Sequence, residues 1–497
     1  MKHWLNYLAG ITSIFAFTTA STSAKGVEFE VTYKVPEKKP IYTPRVYVVV
    51  GQSLGAPMKN MGNWFHLPTI CAVDDVDGDG KVKFVADSLS NKPFNELDGK
   101  YKVQAVVRIH PDWPQPENAE GNLFSDTTEV EFKAGEDKTI KLDAQNVIEA
   151  PKFKKEGRIR DFYFKSKCLS EFHERPYQMR YSVVLPKNWE KGKKYPVIVY
   201  TIGFSGVHHK VGFHVMREIG NKSKNAIILI ADANCRWGHS VFADSAVNGP
   251  WGKALTEELI PHVDKEFGGA GPEHRYIMGT SSGGWASLWV MLNYPKHFAA
   301  CWSTSPDPVD FHAFQELNLK DKKADSLYKD EEGNKRRFAI PRMKLFYEDL
   351  AKFERVLGPG GQLKSFASVF SKRMDDGSPE MWYDEKSGDI SQKVVDSWKP
   401  YDISELMRKN AKTLIPQVKG KLNIGVQETD IFLLDPAVRL LEKQCKELGY
   451  DAKFTYFKGS GHHFPRAGAD PMMEEIMKRW EKAFPPKPAK ELVPAND

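Results

Sequence analysis

Cysteine is scarce in this sequence. Five residues among 497 (Cys71, Cys168, Cys235, Cys301 and Cys445) stand far apart. That spacing makes neither a zinc-ligand pattern nor a disulfide-dense framework. One or two bridges are compatible with an oxidising compartment, and an odd count leaves at least one thiol unpaired. Cys301 falls in an apolar run that reads as a buried strand. Long apolar runs are also lacking, except near the start, where Lys2 precedes an apolar stretch from Leu8 to Phe17 and small residues from Thr18 to Ala24. The stretch is too short to span a bilayer, so residues 1–24 are expected to be a secretory signal peptide cleaved near Ala24. No cysteine stands there to carry a lipid, and no transmembrane segment is expected in the mature chain, which places the protein outside the cell or in a periplasm. An excess of one charge is missing too. Lys and Arg total 71 against 65 Asp and Glu, a net +6 with the signs interspersed, which argues against a nucleic-acid partner.

What is present is globular: 41% hydrophobic and 12% aromatic residues, on a length that suits two or three domains. Residues 25–150 read as a small antiparallel β-sandwich domain. Val27–Tyr33 and Tyr101–Val107 alternate with period two, Arg45–Val50 is β-branched, and Thr128–Phe132 and Lys138–Leu142 complete the set. Asp75, Asp77 and Asp79 with Gly80 open like a calcium loop, but Ala86 stands where the bidentate Glu belongs. An Asp/Gly turn is therefore expected there, with Asp87 adjacent, and no metal site. Residues 151–485 read differently. Met179–Leu185 alternates, whereas Tyr195–Ile202 and Ala226–Ala231 are near-continuous apolar runs, as in strands buried on both faces. A short helix is expected from Phe213 to Asn221, a longer one from Ala254 to Phe267, and a strand over Phe298–Ser303. Strand alternating with helix predicts an α/β fold with a mostly parallel sheet covered on both faces.

One stretch organises this second part. Tyr276-Ile277-Met278 reads as a strand, and Ala286, Leu288, Trp289 and Leu292 as the apolar face of an amphipathic helix. Between them stands Gly279-Thr280-Ser281-Ser282-Gly283, a G-x-S-x-G turn that projects the Ser281 hydroxyl from the top of a sheet. Glycine at 279, 283 and 284 lets strand and helix approach closely. A Gly/Ser turn in an ordinary αβ unit is the bland alternative.

The order Tyr195–Tyr200, a glycine loop at 203–206, Glu258–Asp264 and Gly279–Gly284 resembles the esterase D-type branch of the α/β-hydrolases, with feruloyl and enterobactin esterases among its members. The resemblance covers about residues 170–310 and resumes at about 420–480. It implies an α/β-hydrolase fold and ester hydrolysis or acyl transfer without a cofactor. Two departures are visible: Ile202-Gly203 stands where a His-Gly pair is common, and Thr280 where His or Gln often precedes the serine.

A serine hydroxyl needs a base, an orienting acid and an oxyanion hole. In this fold the chain order is Ser, acid, His. Lys421–Val426 is strand-like and runs into Gln427-Glu428-Thr429-Asp430; Asp430 is the expected acid, with Glu428 and Asp435 as alternatives. Ala452–Phe457 alternates as a last strand and leads into Gly459-Ser460-Gly461-His462-His463. His462 matches the family's Gly-Gly-His and is the expected base, with His463 its rival. The backbone N–H groups of Phe204 and Ser282 are the expected oxyanion donors, and His239 a candidate substrate contact. Residues from about 307 to 412 read as an inserted cap, and 486–497 as a tail. The cap aromatics Phe346, Tyr347, Trp382, Tyr383 and Trp398 suit either a planar or sugar-like substrate group or the insert's own core. The reading is thus a serine carboxylic ester hydrolase for small-molecule or carbohydrate-linked esters. An acyltransferase, and a noncatalytic glycan-binding protein on the same scaffold, are the alternatives.

Overall fold

The structure, a computed structural model, describes residues 26–485 apart from 53–54, 220–224, 324 and 464. The expected signal peptide, the C-terminal tail and the end of the expected Phe213–Asn221 helix lie outside the described residues.

Eight strands form the largest sheet. Its spatial order follows the chain (Ile159–Ser166, Tyr177–Val184, Ile227–Asp232, Val197–Thr201, Arg275–Thr280, Ala300–Thr304, Leu422–Asp430, Ala452–Gly461), except that Val197–Thr201 and Ile227–Asp232 exchange places. The first two strands pair antiparallel and the other six run parallel. That exchange reverses the direction of winding beside Val197–Thr201, and a crevice opens outside the carboxyl ends of the strands at such a point. The apolar runs divide by parity, because successive side chains leave a strand on opposite faces. Ile198, Tyr200, Ile228, Ile230, Tyr276 and Met278 share a core with the helices His208–Ile219 and Arg466–Ala483. Val197, Val199, Ile227, Leu229 and Ile277 face the larger core, with Trp285, Leu288 and Val263 of the opposite helices.

The elbow helix, Ser282–Asn293, departs from expectation. It is not amphipathic: every residue from Ser282 to Leu292 is buried. The inserted chain supplies the missing cover, with Phe370 packed 5.5 Å from Trp285 between ring centres. The expected helix at Ala254–Phe267 begins earlier, at Trp251, and widens over Ala254–Leu259, where the Ile260 N–H bonds five residues back to Leu255. Pro261 lies in the next turn and has no N–H for the regular ladder.

The insert between Ala300–Thr304 and Leu422–Asp430 carries the helices Tyr347–Leu357, Gln362–Phe370, Gln392–Ser397, Ile403–Lys409 and Ala411–Val418. Tyr347, Trp382, Tyr383 and Trp398 are buried as its core, so four of the five cap aromatics are packing residues. All five cysteines are free thiols, which leaves no bridge of the one or two the composition allowed.

Residues 27–147 build two further sheets. Val27–Tyr33 lies between Lys81–Phe84 and Lys138–Ala144, and Arg45–Gly51 lies between Thr69–Asp74 and Gly99–Arg108. Parity again divides the second set. Val46, Val48 and Val50 meet Phe29 and Val31 of the other sheet, while Tyr47 and Val49 meet Phe353, Val356 and Leu357 of the insert. Arg45 and Tyr47 also donate to the carbonyls of Val356 and Leu357, which end that insert helix. Asp75 is a turn residue, accepting from Gly78 N and Gly80 N at 2.9 and 3.1 Å and from the Tyr33 hydroxyl.

Candidate active site

Ser281 sits at the end of the Arg275–Thr280 strand and caps the elbow helix, with φ 62° and ψ −133°. An L-residue rarely holds that backbone, and it persists because the surroundings over-determine it. Ser281 N donates to Thr304 O and its carbonyl accepts from Trp285 N. A Cβ on Gly279 would lie 2.2 Å from Gly283 O, and one on Gly283 would lie 2.1 Å from Thr201 O. The motif's glycines are therefore required by contact between neighbouring backbones, not by loop flexibility.

Asp430 ends its strand fully buried, and His462 follows the next strand end with its ring Nδ1 2.9 Å from Asp430 Oδ2 and 3.2 Å from Oδ1. Phe432 N also donates to Asp430 Oδ1 at 2.8 Å. A carboxylate accepts, so Nδ1 carries the proton and Nε2 is left as a base. Glu428 is exposed, and Asp435 accepts from Asp430 N instead of meeting the imidazole. His463 is exposed and tied through its carbonyl to Gln427.

Ser281 and His462 line one cavity of about 290 Å³, together with Gly203, Phe204 and Ser205 of the first glycine loop. Among the described residues no hydrogen bond joins the Ser281 hydroxyl to the imidazole; such bonds commonly tighten only when substrate binds. His239 does not line this cavity. It is buried, its Nε2 donating to Ile202 O at 2.9 Å and its Nδ1 accepting from Val241 N at 3.1 Å. Burial holds it neutral, down to about 4, so in place of a substrate contact it is a brace under the loop that begins at Gly203. Asn234 Nδ2 holds the other end of that loop through Gly206 O at 2.6 Å, and Gln115 reaches Ser205 O from the N-terminal part.

Several cavity residues carry no sequence motif. The insert contributes Asp307, Gln315, Phe338, Gln362 and Phe366, and residues after the Asp430 strand contribute Phe432 and Leu434. Phe432 stands edge-on to the His462 ring at 4.7 Å. Asp307 is buried, and its Oδ2 accepts from the Ser282 hydroxyl at 2.6 Å and from Gln362 Nε2 at 3.3 Å. Burial pushes its carboxyl up to about 6, against the pull of those donors and of His462. The strand-end rule that points to Asp430 points equally to Asp307, just beyond Ala300–Thr304, so this residue had a signal.

The sequence profile of the family Esterase, described as "Putative esterase", matches residues 173–487. The chain belongs to this esterase family. The protein is therefore a carboxylic ester hydrolase, and the cavity above Ser281 is where the esterase's candidate machinery converges. No curated protein matches the esterase. Among solved structures, it is similar to a ferulic acid esterase at 14% identity and TM-score 0.39, over 65% of this chain and 98% of that one. An S-formylglutathione hydrolase from Agrobacterium tumefaciens aligns at 16% identity and TM-score 0.39, over 65% of this chain and 94% of that one. A CE1 ferulic acid esterase from Anaeromyces mucronatus aligns at 12% identity and TM-score 0.32, over 63% and 86%.

Proposed function

We propose that the protein is an exported serine esterase working through Ser281, His462 and Asp430, with an N-terminal β-sandwich domain at 25–150 joined to the α/β-hydrolase domain. The observation that carries the reading is the His462–Asp430 contact at 2.9 Å beside a serine held at φ 62° in one cavity. His462 Nε2 takes the Ser281 proton as Oγ attacks the ester carbonyl. The carbonyl π-electrons move onto oxygen, which the Phe204 and Ser282 N–H groups receive. Collapse expels the alcohol, which leaves with the proton from His462. Water, deprotonated by the same imidazole, then cleaves the acyl-enzyme and returns Ser281. Asp430 holds the tautomer and balances the imidazolium, without itself taking the proton. Nothing in this sequence of steps requires a cofactor. The aromatic walls formed by Phe338, Phe366 and Phe432 favour carbohydrate-linked aromatic or acetyl esters as the substrate class.

Labelling with a fluorophosphonate probe tests the reading. Wild type is expected to label and Ser281→Ala not to; a folded wild type that fails to label overturns the triad. Turnover of an aryl ester should fall by about 10⁴-fold or more in Ser281→Ala and in His462→Ala. His463→Ala should stay within about threefold, as an exposed residue whose side chain makes no hydrogen bond among the described residues.

A further inference from the structure

The N-terminal part does more than pack against the insert. Gly62, Asn63 and Phe65 line the same cavity as Ser281 and His462. Asn63 fixes this short segment by accepting from Phe65 N and His66 N at 3.1 and 3.2 Å. Phe65 is 46% exposed, a large apolar ring in the open, and faces Phe432 at 6.4 Å. Asn63 and Phe65 also line a second hollow of about 1060 Å³, which extends over the N-terminal sheet to Gln52 and Tyr101. Gln52 and Tyr101 in turn line a third hollow of about 410 Å³. A path runs from the catalytic serine onto the N-terminal sheet, each hollow sharing two residues with the next.

The residues shared between successive hollows are of two kinds. Amides (Gln52, Asn63) and rings (Phe65, Tyr101) stand at the joins. Charge nearly cancels: Lys92, Lys344 and Lys352 stand with Glu96 and Asp349 in the second hollow, and Lys100 and Lys102 with Glu129 and Glu131 in the third, so a chain of uniform charge finds only a weak complementary field. Rings that accept an apolar face, amides that both donate and accept, and charges of mixed sign together suit a neutral polyhydroxylated chain. The first hollow, at about 290 Å³, holds a small acyl or aryl group; the second is far larger than such a group needs.

We propose that the N-terminal sheet is the distal half of the substrate site. A neutral oligosaccharide bearing the scissile ester lies from Ser281 past Phe65 to Tyr101. This rests on the esterase reading but concerns a different surface, and the two fail separately.

The test is calorimetric titration of catalytically silent Ser281→Ala protein with neutral hexasaccharides (cellohexaose, xylohexaose, mannohexaose) and with hexagalacturonate. It is repeated with Tyr101→Ala and Gln52→Ala added. A neutral chain is expected to bind, and Tyr101→Ala to weaken it about tenfold, the size of one lost aromatic contact of about 1.4 kcal/mol. Gln52→Ala should weaken it less, with melting temperatures matched to the parent. In the active protein, the ratio of kcat/KM for an acetylated xylo-oligosaccharide over 4-nitrophenyl acetate should fall to the same extent in Tyr101→Ala, through KM. Absence of binding to every neutral chain, affinity unchanged in both variants, or tighter binding of hexagalacturonate overturns the distal site. A loss of fluorophosphonate labelling, by contrast, would strike the triad and leave the binding result standing.

Discussion

His239 and Asp307 are two buried titratable groups whose shifts have opposite consequences. The His239 ring uses one nitrogen as donor and the other as acceptor, so a second proton would set N–H against N–H at Val241. Its native pKa of about 4 lies below the ordinary 6.5, and the folded state binds fewer protons than the unfolded one between those values. Stability therefore falls as pH drops through that window, by about 3 kcal/mol once both limits are passed. His239→Gln should flatten this acid slope in urea titrations at pH 7, 5.5 and 4.5, and should lower kcat through the loosened Ile202 carbonyl. Asp307 runs the other way. Burial raises it from 3.8 to about 6, the folded state binds more protons in that window, and stability falls as pH rises through it. Asp307→Asn keeps an acceptor for the Ser282 hydroxyl and should raise the urea midpoint at pH 7, by up to about 3 kcal/mol of unfolding free energy. An unchanged midpoint would place the charged carboxylate in a better solvated setting than its 8% exposure implies.

At the scale of elements, the elbow is the least forgiving join. Gly283→Ala drives a methyl into the Thr201 carbonyl, which belongs to a central strand that cannot give way. The expected cost is about 3 kcal/mol or more, read as loss of soluble protein or a deep fall in melting temperature. This element was legible in advance because its signals are local: a strand, glycines at contact positions and a helix in one short run. The meeting of Asp430 and His462 was legible for a related reason, since one ends a strand and the other follows the end of the next. The all-round burial of the elbow helix was not. Its apolar stripe was visible, but the cover on its polar side comes from Phe370 and its neighbours, far along the chain. The same holds for Phe65, Phe366 and Gln362, which reach the cavity through packing that no local pattern encodes. His239 was legible as a residue near the site but not in its direction; only the fold shows that its ring turns under the glycine loop.

For the molecule as a whole, the N-terminal sheet and the insert share a core at Tyr47, Val49, Phe353, Val356 and Leu357. Arg45–Val50 lacks alternation for this reason, being buried on both faces. Phe353→Ala should cost about 3–5 kcal/mol and destabilise both parts together, seen as one lowered calorimetric transition. Two separated transitions would mean that the parts unfold independently. The free thiols offer a way to watch this. Cys71 lies in the N-terminal core, and Cys235, Cys301 and Cys445 lie in the core of the large sheet, all buried and unbridged. The chain thus carries its own reporters: each of these four thiols becomes reactive only when the body around it opens, whereas part-buried Cys168 reports on neither core. A thiol reagent added to the unaltered protein would date the exposure of each core in turn, without a label having been placed anywhere.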